Sequence, residues 1–337
     1  MKPELCCLPI LLALWPPVSV GAEQSRHVIF NYDVRVLDLP PDARRVDVWL
    51  PIPPETPQQR IRGLEIQAPV PGVRTTERAY GNRIWHAVFR PPFGRALHVS
   101  ERVEVVRFEQ RTRPADRRRG GTARGPGSST DLSLFLKANR MVPITDRFLR
   151  IASARTRGSR PSLARCRALY DYVLERMSYD KSGQGWGRGD ANYACDIGKG
   201  NCTDFHSLFI ALTRSLKIPA RFWIGFPLPE KRGKGRVGGY HCWAEFWVEG
   251  TGWVPVDISE ADKHPDKTDY FFGNIDENRI AFSLGRDITL SEQQQGPPIN
   301  FFVYPYVEVD GKPWTRLARE FTYEDVRRTP NDPGAPR

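Results

Sequence analysis

From about residue 26 to residue 110 apolar and polar positions alternate with a period of two, the signature of strands with one buried face. Phe30, Tyr32, Val34 and Val36 share one side of the first run, and Val46-Asp47-Val48-Trp49-Leu50, Arg83-Ile84-Trp85-His86-Ala87-Val88-Phe89 and Arg102-Val103-Glu104-Val105 behave similarly. Between them stand Pro40-Pro41-Asp42, Pro51-Ile52-Pro53-Pro54 and Pro91-Pro92-Phe93-Gly94. Proline fixes its own φ and has no amide to donate, so such clusters end strands and join them. The pattern predicts a β-sandwich-like domain over 23–110. His86 and His98 lie inside strands, lack partners at metal-ligand spacing, and read as strand residues.

Beyond residue 130 the period becomes helical. Leu132, Phe135 and Leu136 form one patch, and Leu163, Cys166, Leu169, Tyr170, Val173, Leu174 and Met177 trace a stripe through a helix opened near Pro161. Cys166 falls on that stripe as a small buried hydrophobe. A further helix begins at Cys202: at about 100° per residue, Phe205, Leu208, Phe209, Leu212 and Leu216 share one arc, with Cys202 and His206 beside its edge. Asn201 is a good N-cap, and Lys217-Ile218-Pro219 closes the helix. Residues 240–248 and 253–257 then flank a glycine turn and predict a β-hairpin. Later segments within 268–309, followed by the turn pair Asp310-Gly311, are expected to extend the sheet beside the hairpin.

Composition bounds this picture. With 337 residues and 40% hydrophobic content the chain can bury two moderate cores, and the second domain is expected over 131–326. Between the two, 111–130 carries six arginines among glycine and proline without periodicity and reads as a basic linker or loop, its arginines solvated. Residues 327–337 read as a loose tail. Residues 1–22 read as a signal peptide: Lys2 precedes the short apolar run 8–15, and Val20-Gly21-Ala22 offers small residues for cleavage. The expected location is therefore periplasmic or secreted. No later stretch is apolar enough to span a bilayer, so no integral membrane contact is expected. The net charge of +11 suits an anionic envelope surface, but no nucleic-acid motif accompanies it.

Removal of the leader takes Cys6 and Cys7 and leaves Cys166, Cys195, Cys202 and Cys242. In an oxidising compartment disulfides are the plain alternative, and a Cys195–Cys242 link is geometrically open. The position of Cys202 argues for chemistry instead. At the first helical position, unpaired backbone amides and the helix dipole favour a thiolate. A thiolate doing acyl transfer needs a base and a group to orient that base. His241 begins one strand of the hairpin and Asp257 ends the other, toward the same end. A turn at Gly250-Thr251-Gly252 puts Asp257 opposite Glu245, so a bulge or a shifted register is needed to bring it to His241. His206, one turn after Cys202, is poorly placed to be held by Asp257 and reads as an exposed or wall histidine. A zinc site from Cys195, Cys202, His206 and His241 lacks paired ligand spacing.

The ordered set Gly200-Asn201-Cys202-Thr203-Asp204-Phe205, Tyr240-His241-Cys242-Trp243-Ala244-Glu245-Phe246 and Gly252-Trp253-Val254-Pro255-Val256-Asp257 resembles the transglutaminase-like superfamily of cysteine enzymes. The resemblance covers roughly residues 131–290, and Val48-Trp49-Leu50-Pro51-Ile52-Pro53 resembles part of the β domain that often precedes this core in bacterial members. It implies an α+β, papain-like core with the cysteine helix packed on an antiparallel sheet. It also implies Cys202 as nucleophile, His241 as general base and Asp257 as the residue that orients the imidazole. The implied substrate is a protein or peptide amide, with a thioester completed by an amine or by water; a cysteine protease proper and a non-catalytic envelope scaffold are the alternatives. Trp186, in the glycine-rich 182–190 stretch, and Trp243 are candidate oxyanion or pocket residues. No cofactor or metal is expected, because no calcium-loop spacing is present.

Overall fold

The computed structural model describes residues 24–94, 96–112 and 131–326. The expected leader, all but the first two residues of the basic linker, and the expected tail lie outside the described residues. The N-terminal strands are β1 (Ser25–Leu37), β2 (Val46–Ile52), β3 (Gln59–Gln67), β4 (Val73–Thr76), β5 (Arg83–Phe89), β6 (Ala96–Phe108) and the short β7 (Gln110–Arg111). Then come α1 (Asp146–Arg155), α2 (Ser162–Arg176), β8 (Ser178–Tyr179), α3 (Ala191–Ile197), β9 (Lys199–Gly200) and α4 (Cys202–Ser215). The chain continues through β10 (Ala220–Pro227), β11 (Lys234–Arg236), β12 (His241–Val248), β13 (Gly252–Val256), α5 (Ile258–Lys263), β14 (Asn274–Ile275) and β15 (Arg279–Leu284). It ends in β16 (Tyr306–Val309), β17 (Lys312–Pro313) and β18 (Leu317–Asp325).

Two five-stranded sheets form the β region, in the orders β11-β18-β1-β6-β3 and β17-β16-β2-β5-β4. The period-two pattern does what it predicts. Val28, Phe30, Tyr32, Val34 and Val36 of β1 are fully buried and join Val46, Val48, Leu50 and Ile52 of β2 in one apolar cluster. β2 is buried on both faces, since Trp49 turns the other way and meets Trp223, Trp243 and Phe302 in a second cluster. The β region thus packs directly on the domain that follows it.

The expectation that strands after residue 300 extend the sheet beside the hairpin is corrected. β16 pairs with β2, and β18 pairs with β1 in nine consecutive partners from Val28↔Asp325 to Val36↔Leu317. The N-terminal sheets would otherwise present unpaired backbone groups along β1 and β2, and the returning C-terminal strands satisfy them. The β domain is therefore built from both ends of the described chain rather than from 23–110 alone.

The second domain holds a four-stranded antiparallel sheet, β13-β12-β10-β15, against which α4 packs. Phe209 of α4 meets Phe246 of β12 edge-on at 6.0 Å. Every residue of α4 is buried, although its sequence reads as amphipathic. α1, α2, α3 and α5 also pack on it, which removes its polar face from solvent. Several of its polar groups find protein partners: Ser215 Oγ donates to the Ala211 carbonyl at 2.8 Å, and Arg214 donates twice to the Ala220 carbonyl, at 3.0 and 2.8 Å. Cys166 lies fully buried on α2, as its stripe predicts, and burial pushes its thiol up.

Candidate active site

Asn201 caps α4. Its Oδ1 accepts from the Thr203 amide at 3.0 Å, while Asp204 Oδ2 accepts from the Asn201 amide at 3.0 Å, a reciprocal capping box. The same Asp204 carboxylate accepts from the amides of Gly187 at 2.7 Å and Gly189 at 3.0 Å, so the glycine-rich loop is tied to the start of the helix. A Cβ on Gly200 would fall on that carboxylate, so the approach requires glycine there. Arg286, fully buried, holds the loop from the other side through the Arg188 carbonyl at 3.0 Å, the Gly189 carbonyl at 2.8 Å and Ser207 Oγ at 2.6 Å.

These contacts fix Cys202 at the first helical position with 1% of its surface exposed. Burial pushes its thiol up, but hydrogen bonds to Cys242 and His241 and the charge of the His241 imidazolium outweigh it, and the thiol titrates well below its ordinary value. His241 opens β12. Its Nε2 lies 2.6 Å from Asp257 Oδ2, which leaves Nδ1 for the thiol. Burial alone would make the imidazole more acidic; the Asp257 carboxylate and its hydrogen bond reverse this and raise the imidazole to about 9. Asp257 is itself fully buried, yet His241 and Arg279 hold its carboxyl far below the usual carboxylate range. Both shifts favour a thiolate paired with an imidazolium.

The hairpin reaches this geometry without a bulge. Val248 faces Gly252 across a turn of three residues, 249–251, and Glu245 pairs with Pro255, so the register continues to put Asp257 opposite Trp243, one step beyond Ala244↔Val256. Asp257 is already leaving the strand as the N-cap of α5. Its Oδ1 accepts from the Glu260 amide at 3.1 Å and from Ser259 Oγ at 3.0 Å. Capping thus aims the second oxygen at the imidazole.

His206 and Trp243 take unexpected places. His206 is neither exposed nor part of a wall: it is fully buried behind Cys202, with Nε2 3.7 Å from Asp257 Oδ1. Cys242 shares that pocket, its Sγ 3.5 Å from His206 Nδ1. Trp243, expected near the oxyanion, is 2% exposed in the second apolar cluster and stacks on Trp223 at 6.4 Å. Cys242 packs in the first apolar cluster, and Trp243, the next residue on β12, packs in the second. Trp186 is half-buried on the glycine-rich loop, with Lys181 Nζ 5.9 Å from its ring centroid. The described cysteines all carry free thiols, and the zinc set of Cys195, Cys202, His206 and His241 is not assembled among the described residues.

Sequence reasoning missed several members. Arg279 Nη2 sits 3.1 Å from Asp257 Oδ2, and Glu260 Oε1 sits 3.9 Å from His241 Nδ1 while Lys263 holds it at 2.8 Å. Tyr240 accepts from Asn201 Nδ2 at 3.0 Å and donates to the Gly187 carbonyl at 3.3 Å, closing the side of the thiol toward Phe301 and Tyr304. Only Asp204 carried a local signal, an acidic residue three positions after an N-cap.

A cysteine helix packs on an antiparallel sheet with a histidine and an aspartate on the facing hairpin, and residues 150–258 match the model of the transglutaminase-like superfamily. A protein of Haemophilus influenzae described as uncharacterized is 29% identical over 328 residues, covering 84% of this chain and 86% of its own. A candidate cysteine protease from Cytophaga hutchinsonii shares the fold: its crystal structure aligns with a TM-score of 0.57 at 16% identity, covering 91% of this chain and 93% of that one. The periplasmic domain of TgpA from Pseudomonas aeruginosa aligns with a TM-score of 0.33 at 17% identity, over 70% of this chain and 89% of that one.

Proposed function

We propose that the chain is a cysteine enzyme that takes an acyl group from a protein or peptide amide. The observation that carries this reading is the buried run of contacts from the Cys202 thiol through His241 to Asp257, whose charges and hydrogen bonds favour the thiolate. The thiolate attacks the carbonyl carbon and its electrons move to oxygen. The Cys202 amide, at a helix start where no intrahelical partner exists, donates to that oxyanion, with the Trp186 indole as second donor. Collapse of the intermediate breaks the C–N bond; the leaving amine takes the His241 proton, and a thioester remains. Water or a second amine then attacks with His241 accepting its proton, and the C–S bond breaks to return the thiolate. Water gives peptide hydrolysis, and an amine gives transfer.

In this reading the enzyme works outside the cytoplasm after removal of residues 1–22, which sequencing of the mature N-terminus checks. The experiment for activity incubates the mature protein and Cys202→Ala with a peptide library, with and without a labelled primary amine. Amine incorporation at glutamine identifies transfer, and backbone cleavage identifies a protease. A wild-type protein that gives neither, and whose Cys202 resists iodoacetamide at neutral pH, sinks the enzyme reading in favour of a scaffold.

A further inference from the structure

His206 is a fully buried titratable group that the reaction above does not use. Its two ring nitrogens have partners whose roles are fixed by covalent chemistry. Nδ1 lies 2.8 Å from the Cys202 carbonyl oxygen, which can only accept. Nε2 lies 3.1 Å from the Ile258 backbone amide, which can only donate. The proton must therefore sit on Nδ1, and the ring must be neutral. We infer that His206 is a positioning residue that locks the first turn of α4 to the first turn of α5, and so sets the Cys202 thiolate against the His241–Asp257 pair.

The bridge joins the residues that matter most. One end is the carbonyl of the nucleophile's own residue, and the other is the amide directly following Asp257, the N-cap of α5. The groups facing the ring are Cys202 from α4, Cys242 and His241 from β12, and Asp257 before α5. Burial pushes the imidazole down, and the His241 charge acts in the same direction, while Asp257 and Cys202 pull upward. A protonated Nε2 would point a donor at the Ile258 amide, so protonation breaks the bridge rather than strengthening it. Because Nδ1–H is committed to the Cys202 carbonyl, the Cys242 S–H remains free to donate to the thiolate.

This inference rests on the proposed chemistry, and two half-replacements test it separately. Asparagine places an amide where Nδ1 stands and can keep the Cys202 bond; glutamine places a carbonyl near Nε2 and can keep the Ile258 bond. His206→Asn, which frees the start of α5, is expected to lower kcat by about 100-fold with KM nearly unchanged, as for misplacement of about 1 Å. It should also shift the pH midpoint of Cys202 alkylation upward by about one unit. His206→Gln is expected to lose about tenfold and keep the wild-type midpoint. ¹⁵N spectra of histidine-labelled wild type should show His206 as the neutral Nδ1–H tautomer, a readout independent of activity. Wild-type kcat and alkylation profiles in both folded variants, or a charged or Nε2–H ring, overturn the inference. Equal abolition of alkylation by both variants also overturns it, because His206 would then be the base. Failure of wild-type Cys202 to alkylate while the tautomer is Nδ1–H would instead remove the enzyme reading and leave the bridge standing.

Discussion

Replacing Asp257 by asparagine tests the source of the ionised thiol. In the folded protein His241 is raised from 6.5 to about 9 in spite of its burial, which corresponds to about 3 kcal/mol favouring the imidazolium. The attraction and hydrogen bond of Asp257 are the main causes of the rise, and asparagine removes the charge while keeping the shape. Burial and the Arg279 charge then face only the hydrogen bond to Cys202, the imidazole shifts toward its neutral form, and the thiolate loses its counter-ion. Alkylation of Cys202 by iodoacetamide at pH 7 is expected to fall about 100-fold, the equivalent of that energy, with the midpoint of its pH profile moving toward alkaline values. The linkage has a definite sign. His241 contributes stability that is fully present below pH 6.5 and lost as pH rises through about 9, so the wild type loses stability across that window and the variant does not. Asparagine also leaves Arg279 buried without this partner, a cost of about 3–5 kcal/mol, so Asp257→Asn/Arg279→Gln serves as a control that removes both charges. An alkylation profile in folded Asp257→Asn that matches the wild type refutes the reasoning.

Three further outcomes follow from other contacts. Cys242→Ala removes the hydrogen bond to the thiolate and should slow alkylation of Cys202 below neutral pH by about tenfold, a loss a stopped-flow thiol assay would register. Trp186→Phe keeps the ring and deletes the indole donor; kcat should fall about 100-fold at constant KM, whereas a loss under threefold would mark Trp186 as packing only. Glu101 is buried with neither carboxyl oxygen hydrogen-bonded, and burial raises it from 4.5 to about 8. A raised acid costs stability progressively above pH 4.5 and fully above pH 8, so Glu101→Leu should stabilise by about 3 kcal/mol at pH 7 and flatten the pH dependence of Tm between those values.

Local patterns in the sequence carry the strands of the β region, the helix opened by Pro161, the capped cysteine helix and the hairpin, because each depends on neighbours within a few residues. What they do not carry is pairing across the chain. Nothing near Phe321 and Tyr323 marks their strand as the partner of β1, although its alternation is visible. The polar residues of α4 read as a solvent face, whereas α1, α2, α3 and α5 cover them in the fold. His206 was misplaced for that reason, and Trp243 because strand alternation settles only which residues oppose one another, while the packing of α4 decides which face holds the site. Arg279 and Arg286 lie in no motif and reach the site only through folding.

The charges around His241 balance two requirements of the same imidazole. To hold Cys202 ionised it must be basic; to protonate a leaving amine it must give the proton up, and transfer is most efficient when its pKa lies near the working pH. Asp257 alone would serve the first requirement at the expense of the second. Its Oδ2, however, is shared between His241 Nε2 at 2.6 Å and Arg279 Nη2 at 3.1 Å, and the guanidinium opposes the imidazolium. Glu260, the second carboxylate near the ring, is likewise met by Lys263 at 2.8 Å. Each anion that stabilises the imidazolium thus carries a cation that limits the effect. In the proposed reaction this balance keeps the ion pair without trapping the proton that cleavage of the amide requires.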